Sequence, residues 1–393
     1  MAERLANFGY LGLVKEVTKG TALTPTDFVP LYKENMSTEW NLVDDNPIAG
    51  NKWARYQVLP GMRAHKGDFE VMAEPNTTAR FVDMLLTKGT TTGAGPFTHP
   101  FTLSSATNPN SYTVDVSSGN QVFRFYGVEA SKLTPTWDKT EMHLNVTVSA
   151  LGSFMGRTIA TVTTTTLTLD TTYDPAPNKG LVTGDLVRIY KSATGATLDT
   201  TIATVAGDGI TVTLGASAAA FAAGDTITLR PATPTYTNLV PFLWPKTQFC
   251  FGATASAALS AVQTRLESGS NWEIVHKFEA DSGAERSGAF DPAALVRTQG
   301  DATFKIKKFF DTPEDVQQFL SIAKNSCVIR HYSGATNQYE LRVTLNDLRI
   351  KMGVDPKADT GKILYADIEY SPVYSQTDAQ AVDVKMLNNL SAI

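Results

Sequence analysis

The chain has 393 residues, 42% hydrophobic and 19% charged, with a formal net charge of −5. At roughly 150 residues per domain this length fits about two to three domains, the apolar content is too high for a disordered chain, and there is no basic surplus to grip a nucleic-acid backbone. The two cysteines, Cys250 and Cys327, exclude a disulfide scaffold and a cysteine zinc site. Residues 1–7 hold an early Glu3 and no apolar leader, and no run approaches about 18 apolar residues, so the expectation is a soluble protein, made in the cytosol, that does not span a membrane.

In chain order, the first sharply patterned strand is Gly67-Asp68-Phe69-Glu70-Val71. A helix is predicted after it, capped by Asn76 or Thr77 and running to Leu86, with Phe81, Met84 and Leu85 on one face. Strands follow over 121–133 and 141–150. In the latter, Met142, Leu144, Val146 and Val148 alternate inward, and Glu141, His143, Asn145 and Thr147 outward. From 157 to 232, Thr fills 19 of 76 positions and Glu, His, Trp and Cys are missing, a composition suited to half-wet pleated strands. Within this window Thr166-Leu167-Thr168-Leu169 leads to Thr183-Gly184-Asp185-Leu186-Val187-Arg188-Ile189, and Ile210-Thr211-Val212-Thr213-Leu214 leads to Ala223-Gly224-Asp225-Thr226-Ile227-Thr228-Leu229. Two such halves predict a small closed or sandwiched β unit.

Beyond that unit the first pattern returns. Thr233-Pro234-Thr235 and Val240-Pro241 echo Thr24-Pro25-Thr26 and Val29-Pro30, and Gly300-Asp301 opens a strand as Gly67-Asp68 does. A second helix is expected, with Thr312 as cap, Pro313 in the first turn, Asp315 supplying negative charge, and Val316, Phe319, Leu320 and Ala323 as its apolar stripe. Strands over 338–350 and 363–370 complete the set, the last with Leu364, Ala366, Ile368 and Tyr370 on one face. The same order twice predicts a mainly β protein with minor helix, of sandwich or barrel type. Its modules run over 1–156 and 233–380, each with one short helix. The Thr-rich β domain, 157–232, is inserted between them facing outward, and 381–393 forms a tail.

Catalytic patterns are scarce. No phosphate loop, dinucleotide fingerprint, zinc-protease helix or nucleophile elbow occurs. His65, His99, His143, His276 and His331 do not stand at metal-ligand spacing. Cys327, close to His331, reads as a small buried residue at a strand start. Asp44-Asp45-Asn46-Pro47 lacks the ladder of a calcium loop. In Phe123-Arg124-Phe125-Tyr126 the two Phe share a core face instead of forming a base-stacking platform. The expectation is a protein that is not an enzyme and has no cofactor and no metal.

The N-terminal phrase Glu16-x-x-x-Gly20-Thr21-Ala22-x-x-Pro25 resembles the opening of tail tube proteins of long-tailed bacteriophages. The next stretch, 40–59, is similar to that family's long hairpin loop, which reaches a neighbouring ring. Trp40, Asp44, Asp45, Asn46, Asn51, Trp53 and Arg55 are its candidate contact residues. The resemblance implies a structural subunit that polymerises into stacked rings, the conduit for DNA ejection. A duplicated module implies trimeric rings with pseudo-sixfold symmetry. It also implies tape measure and tail tip or terminator proteins as partners, DNA that passes the lumen without being held, assembly in the host cytoplasm and a final place in the virion. Alternatives are the tube of a contractile injection or gene-transfer particle, and a carbohydrate- or surface-binding β module of a virion using Trp137 and Trp272. A hydrolase on a β scaffold, with paired carboxylates, would be an enzyme alternative.

Overall fold

The computed structural model describes residues 9–45, 57–103, 108–138, 140–171, 180–237, 240–264, 266–267, 269–278, 291–292, 294–309, 317, 320–352 and 365–393. The molecule is mainly β, as the alternation of apolar and polar residues predicts. Its first part runs β1 (Tyr10–Lys15), β2 (Asp27–Val29), β3 (Leu31–Glu34), β4 (Ser37–Asp45), β5 (Gln57–Met72), α1 (Pro75–Leu85), β6 (Thr87–Lys88), β7 (Phe97–Thr102), β8 (Tyr112–Ser117), β9 (Val122–Asp138), β10 (Glu141–Ala150) and β11 (Gly152–Phe154). The Thr-rich stretch gives β12 (Arg157–Thr163), β13 (Thr166–Leu169), β14 (Leu186–Tyr190), β15 (Thr197–Val205), β16 (Thr211–Leu214) and β17 (Thr226–Leu229). Then come β18 (Thr247–Gly252), α2 (Ala255–Leu259), β19 (Gln263–Thr264), β20 (Asn271–Phe278), β21 (Arg297–Phe309), β22 (Asn325–Ser333), β23 (Tyr339–Met352), β24 (Tyr365–Ser371) and β25 (Val382–Asn388).

One antiparallel sheet runs through both flanking parts. Its order is β3 and β4 end to end, then β5, β10, β9, β20, β21, β24 and the last turn of β23. The long strands β9 and β23 bend out of it. Their first halves join two further sheets, β2–β1–β8–β9–β11 and β19–β18–β22–β23–β25–β7–β6. Phe69, Val71, Leu144, Val146, Leu133, Ile274, Phe304 and Ile368 close a single core shared by both parts. Residues 381–393, expected as a tail, carry β25, whose Val382, Val384 and Met386 lie in that core between β23 and β7.

The sheet strands shared by the flanking parts correspond down to their irregularities, while β3, β6 and β7 have no counterpart among the described residues of the second part. The register slips between Trp40 and Leu42 on β4, and between His276 and Phe278 on β20. It slips where β9 passes Thr147 and Val148 of β10, and between Ile350 and Met352 where β23 passes β24. It slips between Tyr112 and Val114 on β8, and between Asn325 and Cys327 on β22. A bulge adds one residue to one strand, so it marks position as a notch does. Laying bulge on bulge sets Arg63 against Gly300 and Asp68 against Lys305. The sequence match of Gly67-Asp68 with Gly300-Asp301 is therefore out of register, although the element order holds.

Helix α1 differs from expectation at its start. Pro75 takes the first helical position, where its missing N–H costs nothing, and Glu74 precedes it without a side-chain cap. Asn76 and Thr77 sit buried in the first turn, and Phe81, Met84 and Leu85 face the core as predicted. Helix α2 has no counterpart in the sequence reading; Thr254 caps it by accepting from the Ala257 N–H at 3.2 Å. Thr312, Pro313, Asp315, Val316 and Phe319 lie outside the described residues. Gln317, Leu320 and Ser321 are helical, but Leu320 and Ala323 are exposed instead of forming a buried stripe. His143 of β10 is buried against Glu70 at 3.2 Å, not turned outward into water.

The Thr-rich unit closes into a six-stranded barrel in the order β12–β13–β16–β15–β14–β17 and back to β12. Leu167, Ile189, Ile202, Val212 and Ile227 fill it, and its threonines alternate outward or half-outward. Its sequence repeat is a structural one. The Val182 N–H donates to Asp185 Oδ2 at 2.7 Å, and the Ala222 N–H to Asp225 Oδ2 at 2.9 Å. Gly184 and Gly224 hold φ of 93° and 90°, a region open to glycine at little steric cost.

Candidate assembly surface

The through-going sheet has one face on the core and one polar face. On the polar face, basic and acidic side chains answer each other across strands. Lys132 pairs with Glu273 at 2.7 Å, Lys351 and Lys305 with Glu369 at 3.0 and 3.4 Å, and Lys66 with Glu39 at 3.0 Å. The hydrogen bond from Lys351, with the charge of Lys305, holds the Glu369 carboxyl below its ordinary range. Exposed pairs of this kind are each worth only about 0–1 kcal/mol, so their main effect is to cancel the field of the face. Hydroxyls and amides fill the gaps: Thr134 donates to Glu273 at 3.1 Å and Asn145 to Thr136 at 3.1 Å.

Both edges of this sheet are open among the described residues. At one edge β3 and β4 pair only with β5; at the other, Arg349–Met352 of β23 pairs only with β24. The described residues of the candidate hairpin loop, 40–45 and 57–59, are strand. Trp40, Asp44 and Asp45 lie on β4, where Asp44 faces Val58 and Asp45 faces Gln57. Asn46, Asn51, Trp53 and Arg55 lie outside the described residues. The hairpin presents apolar surface: Leu42, Val58 and Leu59 are exposed, and Trp40 lies under the Arg63 guanidinium at 5.3 Å. Single exposed apolar residues are ordinary, but a run along one arm marks a contact surface.

At the root of this hairpin, Asp291 accepts a hydrogen bond from Arg63 Nη2 at 2.8 Å, forms an ion pair with the same guanidinium (Nε at 2.6 Å) and lies 3.0 Å from His65 Nε2. His65 Nδ1 lies 2.9 Å from the Thr38 hydroxyl, which is 3.0 Å from Ser153 Oγ. With Nε2–H directed at the carboxylate, Nδ1 accepts from Thr38. The order of groups is that of an activated hydroxyl, but the guanidinium already occupies the carboxylate and Ser153 shares the hydroxyl. The array latches β4 and β5 to the segment that leads into β21.

The N-terminal motif has a plain physical basis. Glu16 is buried, and its carboxylate accepts four hydrogen bonds: from the Gly20 N–H at 2.8 Å, Ser111 at 2.8 Å, Thr113 at 2.9 Å and the Gly127 N–H at 2.7 Å. Such a carboxylate meets its desolvation cost through charge-assisted bonds. Gly20 closes the loop at φ 75°, Ala22 is buried while Thr21 stays exposed, and Pro25 packs so near Gly12 that a Cβ there would stand 3.0 Å away. The motif organises a loop; it is not itself an exposed site.

Arg124 belongs to no motif in the sequence, yet it holds a central place in the fold. It is 2% exposed and joins the barrel to the body: Nε and Nη2 donate to Asp115 at 2.7 and 2.9 Å, and Nη1 to Asp185 of the barrel at 2.6 Å. Thr24, one residue before Pro25 of the motif, donates to the other Asp185 oxygen at 2.7 Å. Tyr10, Val122 and Phe154 of the body pack into the barrel core. A strand Arg followed by a Phe reads as solvent-facing alternation. Only the barrel seated on that face makes it interior.

Trp272 is buried and Trp137 packs against Trp244 at 4.9 Å between ring centres, so neither is an exposed aromatic for sugar stacking. Cys327 is fully buried, which pushes its thiol well up, and its expected neighbour His331 is engaged with Trp272 and Thr247 instead. No family model matches the chain, and no curated protein matches it.

Proposed function

We propose that the chain is the structural subunit of a phage tail tube, self-assembling into stacked rings that conduct DNA. The observation that carries this reading is the through-going sheet: four strand positions, built twice in one chain, with a charge-cancelled polar face and two open edges. Open edges present ladder groups that a further strand completes. In a ring the polar face turns to the lumen, where paired charges leave no continuous basic track to hold phosphate. Two modules per chain give three chains for a pseudo-sixfold wall, with the barrel outside and the hairpin arms directed at the next ring. Tape measure and terminator proteins are the partners of such a tube, and its place is the virion after assembly in the host cytoplasm.

Electron microscopy of the purified chain tests this directly. Tubes with a central bore and rings of three chains are expected. Compact monomers at all concentrations, or rings of six or more whole chains, would count against the subunit role or its stoichiometry respectively.

A further inference from the structure

Within the through-going sheet the two halves of the chain meet where β9 lies against β20, and that joint is a template. Within the chain, β9 meets β20 with Lys132 opposite Val275 and Leu133 opposite Ile274. The bulges assign the counterparts. Trp40 stands for His276 on the β4 side, so Glu39 stands for Val275; Met352 stands for Lys132 on the β23 side.

We infer that β23 of one copy pairs antiparallel with β4 of a second copy, in the register that sets Met352 opposite Glu39. This rests on the tube reading and names the contact that closes its ring. The partner is argued from burial as well as from backbone. On β20, the residues facing the core at the internal joint, Trp272, Ile274 and His276, are all buried. Their counterparts are Met36, just ahead of β4, and Thr38 and Trp40 on it; Met36 and Thr38 are half-buried, Trp40 is 38% exposed, and Leu42 beyond it is 57% exposed. What differs between β20 and β4 is the strand beside them, and a second copy supplies it. The internal joint also carries the Lys132–Glu273 ion pair. Ser37 and Met352 take those two places, so the joint between copies rests on the backbone ladder and apolar cover.

The test is a cysteine pair, Glu39→Cys with Met352→Cys, in the full chain under mild oxidation. Cys250 and Cys327 are buried and serve as the background. Directly opposed strand residues place Cβ atoms about 4.5–5.5 Å apart, within reach of a disulfide after small adjustment. Assembled double variant is expected to give covalent multimers ending at the closed ring, single variants none, and an equal mixture of the two singles dimers at most. Stronger coupling through Glu39→Cys with Ile350→Cys, or tubes without coupling in the first pair, would overturn the register. Should the variants fold poorly, amide hydrogen exchange on the unmodified chain decides: backbone amides within 39–42 and 349–352 gain protection on assembly, and unchanged exchange in formed tubes overturns the joint. A chain that never assembles in micrographs overturns the tube reading itself, and the joint with it.

Discussion

His331 is a core histidine with a definite protonation state. The Trp272 indole N–H donates to its Nε2 at 3.0 Å, so Nδ1 carries the proton toward the Thr247 hydroxyl at 2.9 Å. Burial lowers its pKa from an ordinary 6.5 to about 3. A base with a depressed folded value contributes its full stability above the unfolded value, and loses it as pH falls from 6.5 toward 3. The loss reaches about 1.4 kcal/mol per pH unit in that window. Thermal unfolding from pH 7 to pH 4 should therefore show a steeper decline for the native chain than for His331→Gln, which keeps an acceptor but has no proton to gain. Parallel declines would assign the acid sensitivity to other groups, such as His99 and His276, whose pKa values are lowered in the same direction.

At the scale of elements, Arg124 fixes barrel to body. Its guanidinium faces two buried carboxylates, and removing one partner of such a set costs about 3–5 kcal/mol because the others stay buried and unanswered. Arg124→Met should lower the unfolding free energy from denaturant titration by that order and raise proteolytic cutting near 157 and 230 before the rest of the chain; a neutral effect would show the barrel is held by apolar contact alone. The sequence made some elements legible and hid others for physical reasons. Strand β10, His143 apart, and the barrel strands β13, β14, β16 and β17 were legible because one face of each is buried in alternation, whereas β12 and β15 bury too few residues to show the pattern. Helix α2 is five residues of mostly Ala, too short to show a period. The repeat was visible as element order but not as register, because Gly-Asp marks chain turning wherever it occurs, whereas the bulges that fix register leave no residue signature. Of the candidate site, Glu16 and Gly20 were findable as a spaced motif. The role of Arg124 was not, since its burial comes from a segment more than 50 residues away (Asp185, 61 residues on).

For the whole molecule, the barrel's position carries the last prediction. Replacing 157–232 by a short Gly-Ser bridge should leave tube assembly intact and narrow the outer diameter in micrographs. Stability should fall, since Arg124 loses Asp185 and Tyr10, Val122 and Phe154 lose cover. A well-folded deletion that forms no polymer would refute the peripheral role. The chain enters the barrel at Arg157–Thr158 and leaves it at Thr226–Ile227, and these residues are direct ladder partners. Entry and exit are thus one strand spacing apart, about 4.8 Å. To the rest of the fold, the barrel is a cassette on two adjacent posts. Any domain whose ends lie side by side could be spliced there, provided that it answers Arg124 and covers Tyr10, Val122 and Phe154.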